Sequence, residues 1–165
     1  MKTTAKIGIL MILLMFVVIV TACTTGNVNT PLPQTLNIKQ PGSDAPKEAV
    51  NYIGIWEGVW SSESGGYYHE NVLPVTIVIK KIKSSRVVAI YSWGNWNPYI
   101  KEGWKKMTGE IKNNTITLMK DGFGVITIEI ASDSKTASAT MRSSNFTATT
   151  TLHKKDLKNL QQKIP

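Results

Sequence analysis

Gly54-Ile55-Trp56-Glu57-Gly58-Val59-Trp60 is the stretch on which the reading of the fold turns. Successive side chains of a strand point to opposite faces. Gly54, Trp56, Gly58 and Trp60 therefore share one face, and Ile55, Glu57 and Val59 share the other. Two kinds of side chain alternate along it, which is the pattern of a strand.

The same period of two runs on to residue 153. The sequence predicts further strands over Leu73–Lys83, Arg86–Trp93, Trp104–Lys112, Thr115–Lys120, Gly124–Ile130, Thr136–Arg142 and Phe146–His153. The breaks are turn signals: Ser84-Ser85, Asn113-Asn114, Asp121-Gly122, Ser132 to Lys135 and Ser143 to Asn145. Two longer irregular stretches, Ser61 to Tyr68 and Gly94 to Gly103, interrupt the series. Helical periodicity is absent until Leu157 and Leu160 in the basic tail. Eight short strands joined mostly by tight turns make an all-β domain. An antiparallel up-and-down barrel of about eight strands leaves no open edge, and a β-sandwich is the alternative.

Gly54-x-Trp56 opening a meander resembles the lipocalin/avidin (calycin) superfamily. The resemblance implies that Trp56 closes one end of a barrel beside Gly54, with a cation near the last strand stacked on the indole. Arg142 and Lys154 are the candidates for that cation. The domain has no Thr-Asp-Tyr motif.

The region before the domain has a different texture. Lys2 and Lys6 precede an apolar run of 14 residues, Ile7 to Val20. That length suits a signal-peptide core and falls short of the roughly 20 residues a membrane-crossing helix needs. Val20-Thr21-Ala22-Cys23 follows, and it resembles the lipobox of bacterial lipoproteins. The resemblance implies cleavage between Ala22 and Cys23 and acylation of the Cys23 thiol. By the same resemblance, Thr24 rather than an acid after the cysteine points to an outer membrane, with the domain facing the periplasm or the cell surface. Cys23 is the single cysteine, so no internal disulfide is possible. Residues 24–48 carry Pro31, Pro33, Pro41 and Pro46 among small polar residues, which reads as a flexible tether. The expected organisation is residues 1–22 as signal peptide, 23–49 as lipidated cysteine and tether, 50–153 as barrel and 154–165 as basic tail.

Charge and motifs narrow the function. The formal charge of +8 in 165 residues falls to +6 once Lys2 and Lys6 are removed. The basic residues are scattered, which argues for a solvated face near anionic polymers or lipid rather than for nucleic acid. His69 and His153 have no partners at metal-ligand spacing, and no nucleophile elbow or phosphate loop occurs. No metal, cofactor or catalytic residue is expected. His69 with Glu70 is the weakest of three functional readings, a hydrolase. The leading reading is a membrane-anchored module binding a small apolar or glycan ligand. Tyr91, Trp93, Trp96, Tyr99 and Trp104 are the candidate contacts, because aromatics at a barrel mouth stack on rings. The second reading is an interaction lipoprotein docking an envelope protein, in the manner of small barrel lipoproteins that inhibit lysozyme. Ala89, Ala137, Ala139 and Ala148 either leave a cavity or fit the taper against the tryptophans.

Overall fold

The computed structural model describes residues 30–62, 73–95, 101–144 and 146–156. Eight antiparallel strands in sequence order form a closed barrel. They are β1 (Gly54–Ser62), β2 (Leu73–Lys83), β3 (Arg86–Trp93), β4 (Gly103–Lys112), β5 (Thr115–Lys120), β6 (Gly124–Ile130), β7 (Thr136–Ser143) and β8 (Phe146–Lys155). The barrel closes where β1 pairs with β8, through Trp56 opposite Lys154 and Glu57 opposite His153. Across this seam the Lys155 ammonium lies 2.9 Å from the Glu57 carboxylate. The expected strands are present to within two residues at each end. Lys154 and Lys155, expected in the tail, belong to β8.

The turns form for the reasons their residues suggest. Asn113 and Asn114 both take positive φ, the conformation a two-residue hairpin demands. Asp133 folds the β6–β7 turn by accepting the backbone N–H groups of Lys135 and Thr136 at 2.8 and 2.9 Å. Those bonds hold its carboxyl below the usual range.

The inner face is the one the alternation selects. Trp56, Trp60, Ile77, Ile79, Met107, Ile116, Leu118, Ile126 and Leu152 are all fully buried in one cluster. Ala89, Ala137, Ala139 and Ala148 join that cluster, so the small residues lie inside the barrel with the tryptophans. In β2 the period is broken on purpose. Ile79 pairs with Ala89 but Lys81 pairs with Val88, so Lys80 is the extra residue of a bulge. Without it Ile82 would point outward. With it Ile82 is buried.

The tether expected over residues 24–48 is not free along its described part. From Thr30 the chain runs across the outside of β1, β2 and β3. The Thr30 hydroxyl donates to that of Thr76 at 2.6 Å, and the Ser92 hydroxyl donates to the Pro31 carbonyl. Further on, Lys39 N–H donates to the Lys80 carbonyl at the bulge, and Gly42 N–H to that of Ile82. Between these clasps Leu32, Leu36 and Ile38 cover Ile55, Val78 and Ile90 on the outer wall. Apolar area removed from water is the reason the segment stays down. It ends in α1 (Ala49–Tyr52), one turn of helix that leads into β1.

Candidate functional site: the aromatic end of the barrel

The up-and-down order puts the Ser84-Ser85, Asn113-Asn114 and 131–135 turns at one end with α1. The other end carries the β1–β2, β3–β4, β5–β6 and β7–β8 connections. The two ends differ.

The α1 end is shut. Ala49, Tyr52 and Ile53 are buried against the core, and Trp56 beside them is 1% exposed. The Trp56 indole N–H donates to the Tyr52 carbonyl at 2.8 Å. The Tyr52 hydroxyl donates to the Asn114 carbonyl and accepts from Ile130 N–H at 3.4 Å. Burial raises the Tyr52 pKa. Lys154 Nζ lies 5.2 Å from the centre of the Trp56 ring and donates to the Asn51 carbonyl at 2.6 Å. Desolvation lowers its pKa. Gly54 takes φ +133°, and a Cβ there would sit 3.2 Å from Lys154 Cε, so the position suits glycine twice over.

Lys154 is thus the cation on Trp56, and the candidate Arg142 is not. Arg142 pairs with Val125 and Thr147, at the far end of β7, and is exposed. Its neighbour Met141 packs against the core and Ala139 lies within it. By parity Arg142 faces outward.

At the opposite end the aromatics converge. Tyr91 and Trp93 are on the inner face of β3, and their rings stack with centres 5.6 Å apart. Phe123, in the β5–β6 turn, meets Tyr91 edge-on at 5.2 Å and Trp93 at 5.5 Å. Lys105, opposite Tyr91 on β4, places its Nζ 4.9 Å from the centre of the Phe123 ring. Cation–π contacts of this kind contribute about 0.5–1 kcal/mol when exposed. The Trp93 indole N–H donates to the Lys101 carbonyl at 2.8 Å, fixing the ring. Gly103 is required beneath it, because a Cβ there would come within 2.8 Å of the indole.

Below these rings lies a buried polar chain. The Trp60 indole N–H donates to the Tyr91 hydroxyl at 3.0 Å, and that hydroxyl donates to the Met141 sulfur at 3.7 Å. Desolvation pushes the Tyr91 pKa well above the ordinary tyrosine value. Tyr91 thus forms a buried floor beneath the rings.

The five aromatics expected at the mouth are sorted as follows. Tyr91 is 1% exposed and forms the floor. Trp93 is half-buried above it. Trp104 departs from the expectation: it pairs with Ser92 on the outward phase of β4 and is 46% exposed on the outer wall. Trp96 and Tyr99 lie outside the described residues, as do Ala22, Cys23, His69, Glu70 and the tail beyond Asp156. Phe123 and Lys105 were not singled out from the sequence. Parity would have found Lys105, since Met107 and Ile111 fix the inner phase of β4. Phe123 sits in a turn, where alternation carries no signal.

Among the described residues no group of three or more His, Cys, Asp and Glu side chains is placed to hold a metal. His153 lies exposed on β8. An open groove of about 550 Å³ also lies on the outer wall, between Arg86, Val88, Thr108, Glu110 and Met119.

No family model matches the sequence, and no curated protein matches it. Two solved structures are similar in fold. One is a de novo designed fluorescence-activating β-barrel, with a TM-score of 0.49 and 9% identity over 67% of this chain and 99% of that one. The other is a redesigned β-barrel, with a TM-score of 0.49 and 10% identity over 67% of this chain and 96% of that one.

Proposed function

We propose that this protein is an envelope lipoprotein, cleaved after Ala22 and acylated at Cys23, whose barrel binds a small apolar or glycan ligand without chemically altering it. The observation that carries the binding reading is the stack of Tyr91, Trp93 and Phe123 beside Lys105, at the end away from the α1 plug. Flat aromatic faces take up apolar bodies and the C–H faces of sugars. Lys105 adds a charged donor on an otherwise apolar surface, which is the composition of a small-molecule site. The polar groups beneath are already committed to one another, so the site offers surface and orientation rather than a reactive atom.

The anchor reading rests on the sequence: a signal-length apolar run, small residues and then the lone cysteine. Acyl chains contribute about 0.8 kcal/mol per buried methylene, so two or three of them hold a protein firmly on a membrane.

Native mass spectrometry of the full protein, extracted from its own envelope, tests both parts. The expected mass lacks residues 1–22, carries acyl chains and holds a non-covalent small molecule. That molecule should be lost from a Trp93→Ala, Phe123→Ala double variant. An unprocessed chain refutes the anchor. A bare wild-type protein, or a ligand retained by the double variant, refutes the site.

A further inference from the structure

We infer that the aromatic end of the barrel faces the membrane, docking on an anionic lipid surface through the rim formed by the start of β4. The inference rests on the proposed acylation of Cys23 and is drawn from where the strap leaves the barrel. Thr30 is clasped to Thr76 and Pro31 to Ser92. Thr76 is three residues from the start of β2, and Ser92 is one residue from the end of β3. Both positions are at the aromatic end. From there the strap descends past Lys80 and Ile82 to α1. The chain leading back to Cys23 therefore departs from the aromatic end, not from the plugged one.

Length turns that exit point into an orientation. Cys23 and Thr30 are seven residues apart, a span of about 25 Å at full extension. With the aromatic end down, that leash is slack. With the barrel inverted, Thr30 would stand about one strand's length off the surface. The seven steps from Thr76 to the end of β2 cover roughly 23 Å along the strand and roughly 18 Å at a barrel's tilt, so the inverted barrel would use up most of the leash.

The rim carries side chains suited to a lipid headgroup layer. Trp104 is exposed on the outer wall beside the strap exit, and tryptophan settles at the boundary between headgroups and acyl chains. Lys106 shares its face two residues along β4, and Lys101 and Lys105 are exposed on the same rim, with Glu102 and Asp121 as the acids. Clustered lysines are drawn to anionic lipid. The opposite end is basic too, with Lys112 and Lys135, so charge alone does not choose the end. The leash and the exposed tryptophan do. The ligand end would then open toward the bilayer rather than toward the bulk compartment.

The test uses the full lipidated protein in vesicles of phosphatidylcholine and phosphatidylglycerol that carry headgroup-level nitroxide lipids. A fluorophore is attached through Asp121→Cys at the aromatic end, or through Lys112→Cys at the plugged end. Acylated Cys23 leaves the introduced thiol as the only one to label. The expected result is several-fold stronger quenching at position 121 than at 112, with the difference reduced by Trp104→Ser. Equal quenching, or stronger quenching at 112, on a chain that carries acyl mass overturns the orientation and leaves the anchor standing. A chain with no acyl mass at Cys23 overturns both. Loss of the co-purifying ligand in the mouth variants is a separate readout that neither result alters.

Discussion

The two ends of this barrel are built from the same residue types and arranged to different purposes. At the α1 end a tryptophan, a tyrosine and a lysine close on one another: Trp56 bonds Tyr52, and Lys154 covers the indole and bonds Asn51. At the far end a tryptophan, a tyrosine, a phenylalanine and a lysine also meet, but Trp93 and Phe123 are half-buried and Lys105 is exposed. The first group is consumed by closure, whereas the second retains surface to offer. Composition does not separate a plug from a binding site. Whether the rings and the ammonium keep exposed surface does.

Substitutions can break or sharpen that contrast. The largest effect belongs to the plug. Trp56→Ala empties the closed end and should cost about 3–5 kcal/mol in a denaturant titration. Trp93→Ala should cost clearly less, because its ring is only half-buried. A reversed order would mean that the aromatic end is the structural one.

Next comes the floor between the ends. Tyr91→Phe leaves the buried Trp60 indole N–H without its acceptor, a loss of about 1–3 kcal/mol. The strap should contribute on a similar scale. The pair Leu36→Ser, Ile38→Ser uncovers Val78 and Ile90 and should lower stability by about 1–3 kcal/mol. Unchanged unfolding midpoints would show that the strap lies on the wall without holding it.

A pH series adds a signed expectation. Tyr52 and Tyr91 have raised pKa values in the folded chain through burial. As pH climbs above 10 the unfolded chain loses those protons and the folded chain keeps them, so stability should fall. Tyr91→Phe should flatten part of that slope. Lys154 works with the opposite sign: its lowered folded value means that stability is gained as pH rises toward 10.5. Lys154→Met should remove that gain, seen as a shallower profile below pH 10. The smallest effect on stability is expected from Lys105→Gln, at most about 0.5–1 kcal/mol, the size of an exposed cation–π contact, although ligand retention should drop.

Most of the barrel was legible because its strands are half-buried and alternate cleanly. Ile126, Ile128 and Ile130 on one face of β6 are the plainest case. The strap was not, although a signal was present. Val75, Thr76, Ile77, Val78 and Ile79 form a run buried on both faces, which is the pattern of a strand covered outside as well as inside. Four prolines and little large apolar content pointed the other way for residues 24–48. Leu32, Leu36 and Ile38 suffice because the surface they cover, Ile55, Val78 and Ile90, is itself apolar. The bulge at Lys80 was visible in the break between Ile79 and Ile82. The choice between Arg142 and Lys154 was open to parity: Leu152 and Ala148 put Lys154 on the inner phase, whereas Ala137 and Ala139 put Arg142 on the outer. Phe123 escaped because turn residues have no phase, and only the closed barrel brings it over β3.

The central claim is that one end binds and the other only closes, and the tryptophan indole N–H signals read it directly. The full protein, labelled with nitrogen-15 in its tryptophans, would be titrated with extract from its own envelope. The account expects the Trp93 signal to move, the Trp60 signal to follow through Tyr91, and the Trp56 signal to stay in place. Movement at Trp56 with Trp93 unchanged, or no movement at either, would contradict it.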